Sequence, residues 1–347
     1  MRKASKRLPL EEWILAQPLK NFPGGGKYDY HSRLSSAVNY FVTKIHPYVE
    51  TSVALRDGLF LTGHGVNHVS TVIRRAGELV GDYTANPNRL TPYEAFLLIM
   101  AAHSHDVGLL LGRKDHETNA HKVLTGLINL LGKDMVEVRA FLRIAQAHGG
   151  KINEDKDTIS SLPPSDYISC EKVRLQYLAA LLRLADELAD DRERSGEELL
   201  EHGLLPPHSE VHHAYASRLH SVVIDHSERA ILLNFDLAKS DAIRTFGKGT
   251  KKVLLLDEIF SRTMKMHQER MYCMRFLREA IRLDTIFVTI DVFLSPEKPG
   301  PPFQKISYKL EEKGYPDISA KSVHDLCPDL KWTGSALKQA LRQSAKG

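Results

Sequence analysis

The chain has 347 residues, of which 42% are apolar and 26% charged, the balance of an ordinary globular protein with a core of normal size. Three widely spaced cysteines, Cys170, Cys273 and Cys327, argue against a disulfide framework and a thiolate-held zinc, and they fit a reducing cytosol. The net charge of +4 permits a phosphate-bearing substrate without demanding nucleic acid.

Residues 1–50 read as an N-terminal helical extension. Its basic start (Arg2, Lys3, Lys6, Arg7) runs into Leu8-Pro9-Leu10-Glu11-Glu12, where a signal peptide needs an apolar run. No stretch approaches the ~18–20 apolar residues of a membrane span. A cytoplasmic protein with no membrane partner is therefore expected. After an irregular segment with Pro18, Pro23 and Gly24-Gly25-Gly26, a helix is predicted over 31–50 from Leu34, Val38, Phe41, Val42 and Ile45, with Pro47 as its stop. Gly24-Gly25-Gly26-Lys27 lacks the preceding strand and the spacing of a phosphate loop.

A second helix is predicted over 64–80 from Val69, Val72, Ile73, Ala76, Leu79 and Val80, closed by Gly81. A third starts at Thr91-Pro92, where threonine caps and proline suits the first turn. Its body, 95–102, is apolar nearly all round and reads as the buried central helix. It ends in His103-Ser104-His105-Asp106, just before Gly108. Further helices fit 116–131, 134–147 and 171–190, around a polar loop at 151–169.

The texture changes after Gly196. Residues 211–220 read as helical or extended, 221–225 and 231–235 as a hairpin, 250–282 as a long helix and 285–294 as a strand. Lys239, Arg244, Lys248, Lys251 and Lys252 read as a basic surface loop. Residues 295–347 form a small basic appendage with a helix at 334–343. The expected fold is mainly α with a small C-terminal α+β extension. Its expected divisions are 1–50, 51–200, 201–294 and 295–347.

Seventeen histidines, several inside helical patterns, direct the search for chemistry. Four segments stand out: His64-Gly-Val-Asn-His68, His103-Ser-His105-Asp106-Val-Gly108, Ala147-His148-Gly-Gly150 and Leu184-Ala-Asp186-Glu187. Neighbouring residues on a helix point about 100° apart. His105 and Asp106 can therefore share one cation only if it sits beyond the helix end, where the C-terminal dipole adds negative potential. His68 and Asp186 would complete a mixed nitrogen and oxygen set suited to Mn²⁺, Fe²⁺, Co²⁺, Ni²⁺ or Zn²⁺.

His68, His105-Asp106 and Asp186, in that order on successive predicted helices, resemble the H…HD…D signature of the HD-domain superfamily. The flanks agree: His68-Val-Ser-Thr-Val-Ile, Ala102-His-Ser-His-Asp-Val-Gly and Leu181-Leu-Arg-Leu-Ala-Asp186-Glu-Leu are similar to the family's motifs over roughly residues 60–195. The resemblance implies an HD-domain helical bundle that hydrolyses phosphoester or phosphoanhydride bonds, usually of nucleotides, cyclic dinucleotides or nucleic acid. It implies metal ligands at His68, His105, Asp106 and Asp186. His116, within Asp115-His116-Glu117, and His148 stand where some relatives carry ligands for a further ion. Two divalent transition ions are thus expected, with Mg²⁺ also allowed. Over the similar stretch, residues 60–195, the lysine and the GYP triplet of cyclic-di-GMP phosphodiesterases are absent, as is the HDxGHxxFSH pattern of dNTP triphosphohydrolases.

The implied mechanism is attack on phosphorus by hydroxide generated at the metal. Asp186, His148 and His103 are the catalytic candidates, with His64 also able to orient the nucleophile or protonate the leaving oxygen. Arg183, Arg192 and Arg194 are candidate phosphate clamps. The expected partner is a nucleotide or other phosphate-bearing small molecule, with nucleic acid and a homo-oligomer both allowed. A nuclease on single strands is the first alternative, weakened by an aromatic content of only 7%. A non-catalytic nucleotide sensor is the second.

Overall fold

The computed structural model describes residues 7–55, 63–84, 86, 89–112, 116–131, 134–152, 154–190, 192–295, 300–312 and 320–344. The chain divides into two units. The first comprises Met1–Arg56, His64–Ala189 and Cys273–Ile281, and the second Asp57–Gly63, Asp190–Tyr272 and Arg282–Gly347. The architecture is mainly α, with the larger sheet in the second unit.

The first unit begins with α1 (Pro9–Ala16) and α2 (Tyr30–Tyr40), the latter capped by Asp29, whose carboxylate accepts from the Ser32 backbone N–H. Pro47 does not stop the chain's helical course. A π turn, Phe41–Ile45, leads directly into α3 (His46–Leu55). Proline collides with the carbonyl four residues back and cannot donate to it. The π turn widens the helix there, with the His46 N–H reaching five residues back to Phe41, and so the proline is accommodated.

Next come α4 (Val66–Val80), closed by Gly81 at φ 72°, and α5 (Pro92–Ser104). Thr91 and Glu94 form a reciprocal capping box at the start of α5, and every residue from Tyr93 to Ser104 is buried. By length and composition the stretch Pro92–Leu111 is apolar enough to cross a membrane, which corrects the expectation that none is; 89% of its most apolar 18-residue span lies buried, the placement of a core helix. A 3₁₀ turn, Val107–Leu111, follows α5. Then come α6 (His116–Val123), α7 (Thr125–Leu130) and α8 (Met135–Gln146), the span 116–131 being two helices rather than one. The expected loop at 151–169 holds a strand, β1 (Asp166–Ile168), paired antiparallel with β2 (Glu171–Val173). Helix α9 (Leu175–Glu187) closes this part of the unit.

One ion pair sets the register of the two central helices. Glu94, in the first turn of α5, is 1% exposed and takes two hydrogen bonds from the Arg174 guanidinium and one from its backbone N–H, at 2.6, 2.8 and 3.1 Å. Arg174 is the N-cap of α9. The N-termini of α5 and α9 are thus tied together. Both helices run 13 residues. At 1.5 Å of rise per residue their C-terminal ends, which carry His105 and Asp186, arrive at the same depth.

The second unit holds α10 (Glu197–Glu201), α11 (Glu210–Arg218), β3 (Leu219–Asp225), β4 (Ala230–Ala238), α12 (Lys239–Ile243), β5 (Thr245–Lys248), β6 (Lys251–Leu254), α13 (Leu255–Leu277) as far as Tyr272, β7 (Thr285–Phe293), β8 (Gln304–Glu311), α14 (Val323–Leu326) and α15 (Gly334–Gln343). The sheet order is β3-β4-β7-β8, with β4 and β7 parallel and the other pairs antiparallel. A parallel pair needs a long crossover, here the chain from α12 to α13. The basic run read as a surface loop is α12 and the β5–β6 hairpin, and Lys248 within it pairs with Glu258 at 2.6 Å. Strand β8 falls in what the sequence reading took for an irregular appendage, and Ile306, Tyr308 and Leu310 supply its buried face.

Candidate metal centre

Helix α5 ends at Ser104, and the chain leaves it by stages. His105 keeps helical angles, whereas Asp106 takes φ −102° and ψ 1°, which turns the backbone into the 3₁₀ segment. That departure lets two consecutive side chains converge, and Asp106 Oδ2 lies 3.2 Å from His105 Nε2. His105 Nδ1 donates to the Ala102 carbonyl at 2.7 Å, which fixes the ring and aims Nε2 at the carboxylates.

His68 comes from the first turn of α4, and Asp186 from the last turn of α9. His68 Nε2 is 3.3 Å from His105 Nε2, 3.1 Å from Asp186 Oδ1 and 3.7 Å from Asp106 Oδ2, and His105 Nε2 is 3.7 Å from Asp186 Oδ1. Metal–ligand bonds of ~2.0–2.2 Å place neighbouring donors roughly 3.0–3.4 Å apart. The cluster therefore has the spacing of a coordination shell.

Its electrostatics agree. Burial opposes ionisation of Asp106, yet His105 and His64 hold its carboxyl well below the usual range. Asp186 is likewise held down against burial by His68 and His105. Burial works against a charged His105, but Asp106 and Asp186 outweigh it and raise the ring to about 9. Two ionised carboxylates in a site whose histidines are 2% and 1% exposed require positive charge beside them. The donor set fits a divalent cation.

A second group gathers on the other oxygen of the same carboxylate. Asp106 Oδ1 faces His116 Nε2 at 3.5 Å and His148 Nε2 at 3.9 Å. His148 Nδ1 donates to the Ala145 carbonyl at 2.5 Å, the same backbone device that orients His105. His116 Nδ1 lies 3.3 Å from Glu117 Oε2, which turns its Nε2 towards Asp106. Burial, then the His105 charge, lowers the His148 pKa, so it stands as a neutral donor.

His64, just ahead of α4, places Nδ1 2.7 Å from Asp106 Oδ2, and 18% of its side chain is exposed. His103 is not brought to the cluster. Its Nδ1 is 2.9 Å from His46 Nε2, and its ring stacks on Phe41 at 5.0 Å. Arg183, 8% exposed, donates to Thr158 Oγ1 and the Lys156 carbonyl. Arg192 and Arg194 belong to the second unit. There Arg192 pairs with Glu197 at 3.0 Å, while Arg194 donates to the Gly63 carbonyl at 3.0 Å and lies 3.6 Å from Asp190. Asp115 lies outside the described residues. Sequence reasoning gives His46 no role. For His46 only its place beside Pro47, where a helix end was expected, offered a signal.

The His46–His103 pair has a consequence for stability. Burial first, then the His105 charge, pushes His46 down to about 4, with Asp106 acting the other way. In the unfolded chain the ring titrates near 6.5. The unfolded state therefore binds the extra proton between those values. The native state keeps its full advantage above pH 6.5 and loses it as pH falls towards 4. Urea unfolding of the chelated protein should lose about 2 kcal/mol more between pH 7 and 5 than the same measurement on His46→Gln. Equal losses in the two proteins would contradict the buried neutral ring.

The HD-CE family model matches residues 51–262. No curated protein matches the chain.

Proposed function

The chain belongs to the HD-CE family, and on that premise we propose that it is a metal-dependent phosphohydrolase acting on a phosphoester or phosphoanhydride bond of a nucleotide. The observation that carries this is Asp106, whose two oxygens face two separate sets of histidines. His68, His105, Asp106 and Asp186 would hold one ion, and Asp106, His116 and His148 a second. Divalent ions held there supply Lewis-acid activation of water and offset charge on the phosphoryl oxygens.

The chain's own residues do the rest. Asp186, His64 and His116 are the most exposed members, with side-chain exposures of 28%, 18% and 18%. A phosphate arriving from solvent meets them first. His64 has Nδ1 engaged by Asp106, and its other nitrogen would orient the attacking water. His105, at 1% exposure, stays behind the reacting face and holds position. The nucleotide as substrate rests on the likeness of the three motifs around His68, His105-Asp106 and Asp186 to H…HD…D phosphohydrolases. The mixed nitrogen and oxygen set favours Mn²⁺, Fe²⁺, Co²⁺, Ni²⁺ or Zn²⁺.

The test is the purified chain, loaded with Mn²⁺ or Co²⁺, against dNTPs, NTPs, cyclic nucleotides and oligonucleotides. Phosphate, pyrophosphate or a nucleoside monophosphate released from a mononucleotide is the expected result. Cleavage of oligonucleotides alone would replace it with a nuclease. Binding of nucleotide without turnover by the metal-loaded protein would leave a sensor.

A further inference from the structure

The last carbonyls of a helix have no partner within it, and α8 ends two residues before His148. The Ala145 carbonyl accepts both the His148 backbone N–H at 3.2 Å and its Nδ1–H at 2.5 Å. The Ala147 carbonyl, adjoining His148, is taken from across a loop: Thr158 Oγ1 donates to it at 2.7 Å in a buried contact. Thr158 is 1% exposed, and its oxygen accepts from Arg183 Nη1 at 2.9 Å. A hydroxyl has one proton and a guanidinium only donates. The chain of bonds therefore has a single direction, from Arg183 through Thr158 to the Ala147 carbonyl.

The strap joins two parts of the metal centre. Arg183 sits on α9, one turn before Asp186, and the far end of the strap adjoins His148. Beyond His148 come Gly149 and Gly150, the latter at φ 71°, so the chain that follows imposes little restraint on the histidine. Glycines there leave its position to be set from the Ala147 side.

We propose that Arg183 and Thr158 are positioning residues for His148, holding it where the second cation is bound on Asp106 Oδ1. This rests on the two-cation reading above. It also gives Arg183 a role other than gripping phosphate, since the residue is 8% exposed and its guanidinium donates to Thr158 Oγ1 and the Lys156 carbonyl.

The experiment titrates Mn²⁺ into the chelated full-length chain by calorimetry, with the Co²⁺ absorption spectrum as a second readout. Thr158→Val keeps the shape and removes the hydroxyl, whereas Thr158→Ser keeps the hydroxyl. The wild type should bind two ions. Thr158→Val should weaken the second by roughly 10-fold or more and leave the first within about twofold, the scale on which indirect partners of metal ligands act. Thr158→Ser should restore the wild-type titration, and Arg183→Met should follow Thr158→Val. An unchanged second affinity in folded Thr158→Val would overturn the proposal. So would equal weakening of both ions without rescue by serine, which marks general loosening. A wild type that binds one ion would overturn it while sparing the first group of ligands. A wild type that binds none would overturn the metal centre itself.

Discussion

Asp106→Ala should reduce the divalent-metal content from two ions per chain to fewer than one, and should lower hydrolysis by at least about 10³-fold. The two oxygens of Asp106 face different groups. Oδ2 lies 3.2 Å from His105 and 3.7 Å from His68, while Oδ1 lies 3.5 Å from His116 and 3.9 Å from His148. Alanine removes both oxygens, leaving the first group a single carboxylate and the second only its two imidazoles. The electrostatic loss compounds the geometric one, because Asp106 is the strongest of the influences that draw positive charge to His105. His116→Ala is the informative comparison. It takes one imidazole from the second group alone, so one ion should remain and activity should fall less. Metal analysis after loading and gel filtration, set beside initial rates, reads both. Wild-type metal content and turnover in a folded Asp106→Ala protein would end the assignment of this site.

The sequence made the centre legible where chemistry and helix geometry point the same way. His105 and Asp106 at the end of a helix whose body is apolar nearly all round needed a partner, and His68 and Asp186 stood at the ends of two other helices. What aligned those ends was less visible. The bond between Arg174 and Glu94 spans 80 residues, and nothing local in either segment announces it. His103 shows the limit of reasoning from neighbourhood. Two positions before His105 on a helix is about 200° round, so His103 turns to Phe41 and His46 instead. Arg183 was legible as a cation near Asp186 but not as one end of a strap, because Thr158 sits in a polar loop with no periodicity. Pro47 misled for a related reason. A π turn changes the register that makes proline a breaker, and Phe41–Ile45 has no composition that distinguishes it from an α-helix. Strand β8 was hidden by the prolines before it, although Ile306, Tyr308 and Leu310 alternate as a half-buried strand should.

Gly108→Ala should damage the centre without touching a ligand. A Cβ at this position would lie 1.9 Å from the His116 carbonyl oxygen, 2.7 Å from its carbonyl carbon and 3.0 Å from its Cα. These are backbone atoms at the first residue of α6, so no side-chain rotation relieves the overlap. Restoring an ordinary contact requires a shift of the 3₁₀ segment, of α6, or of both, on the order of 1 Å. His116 Nε2 stands 3.5 Å from Asp106 Oδ1, and such a shift carries it away from the carboxylate. The second ion should therefore be lost or greatly weakened while the first, held from α4, α5 and α9, is retained. Turnover should fall about 10²-fold, the scale of a 1 Å misplacement at a reacting centre. Stability should fall as well, by about 1–3 kcal/mol in urea unfolding, the usual cost of overpacking. That second effect separates the glycine from its ligand. His116→Ala should share the loss of the second ion without the loss of stability, because the His116 side chain is partly exposed and leaves no buried cavity. A Gly108→Ala protein that holds two ions and turns over at the wild-type rate would mean that the close approach of α6 to the 3₁₀ turn does not place His116.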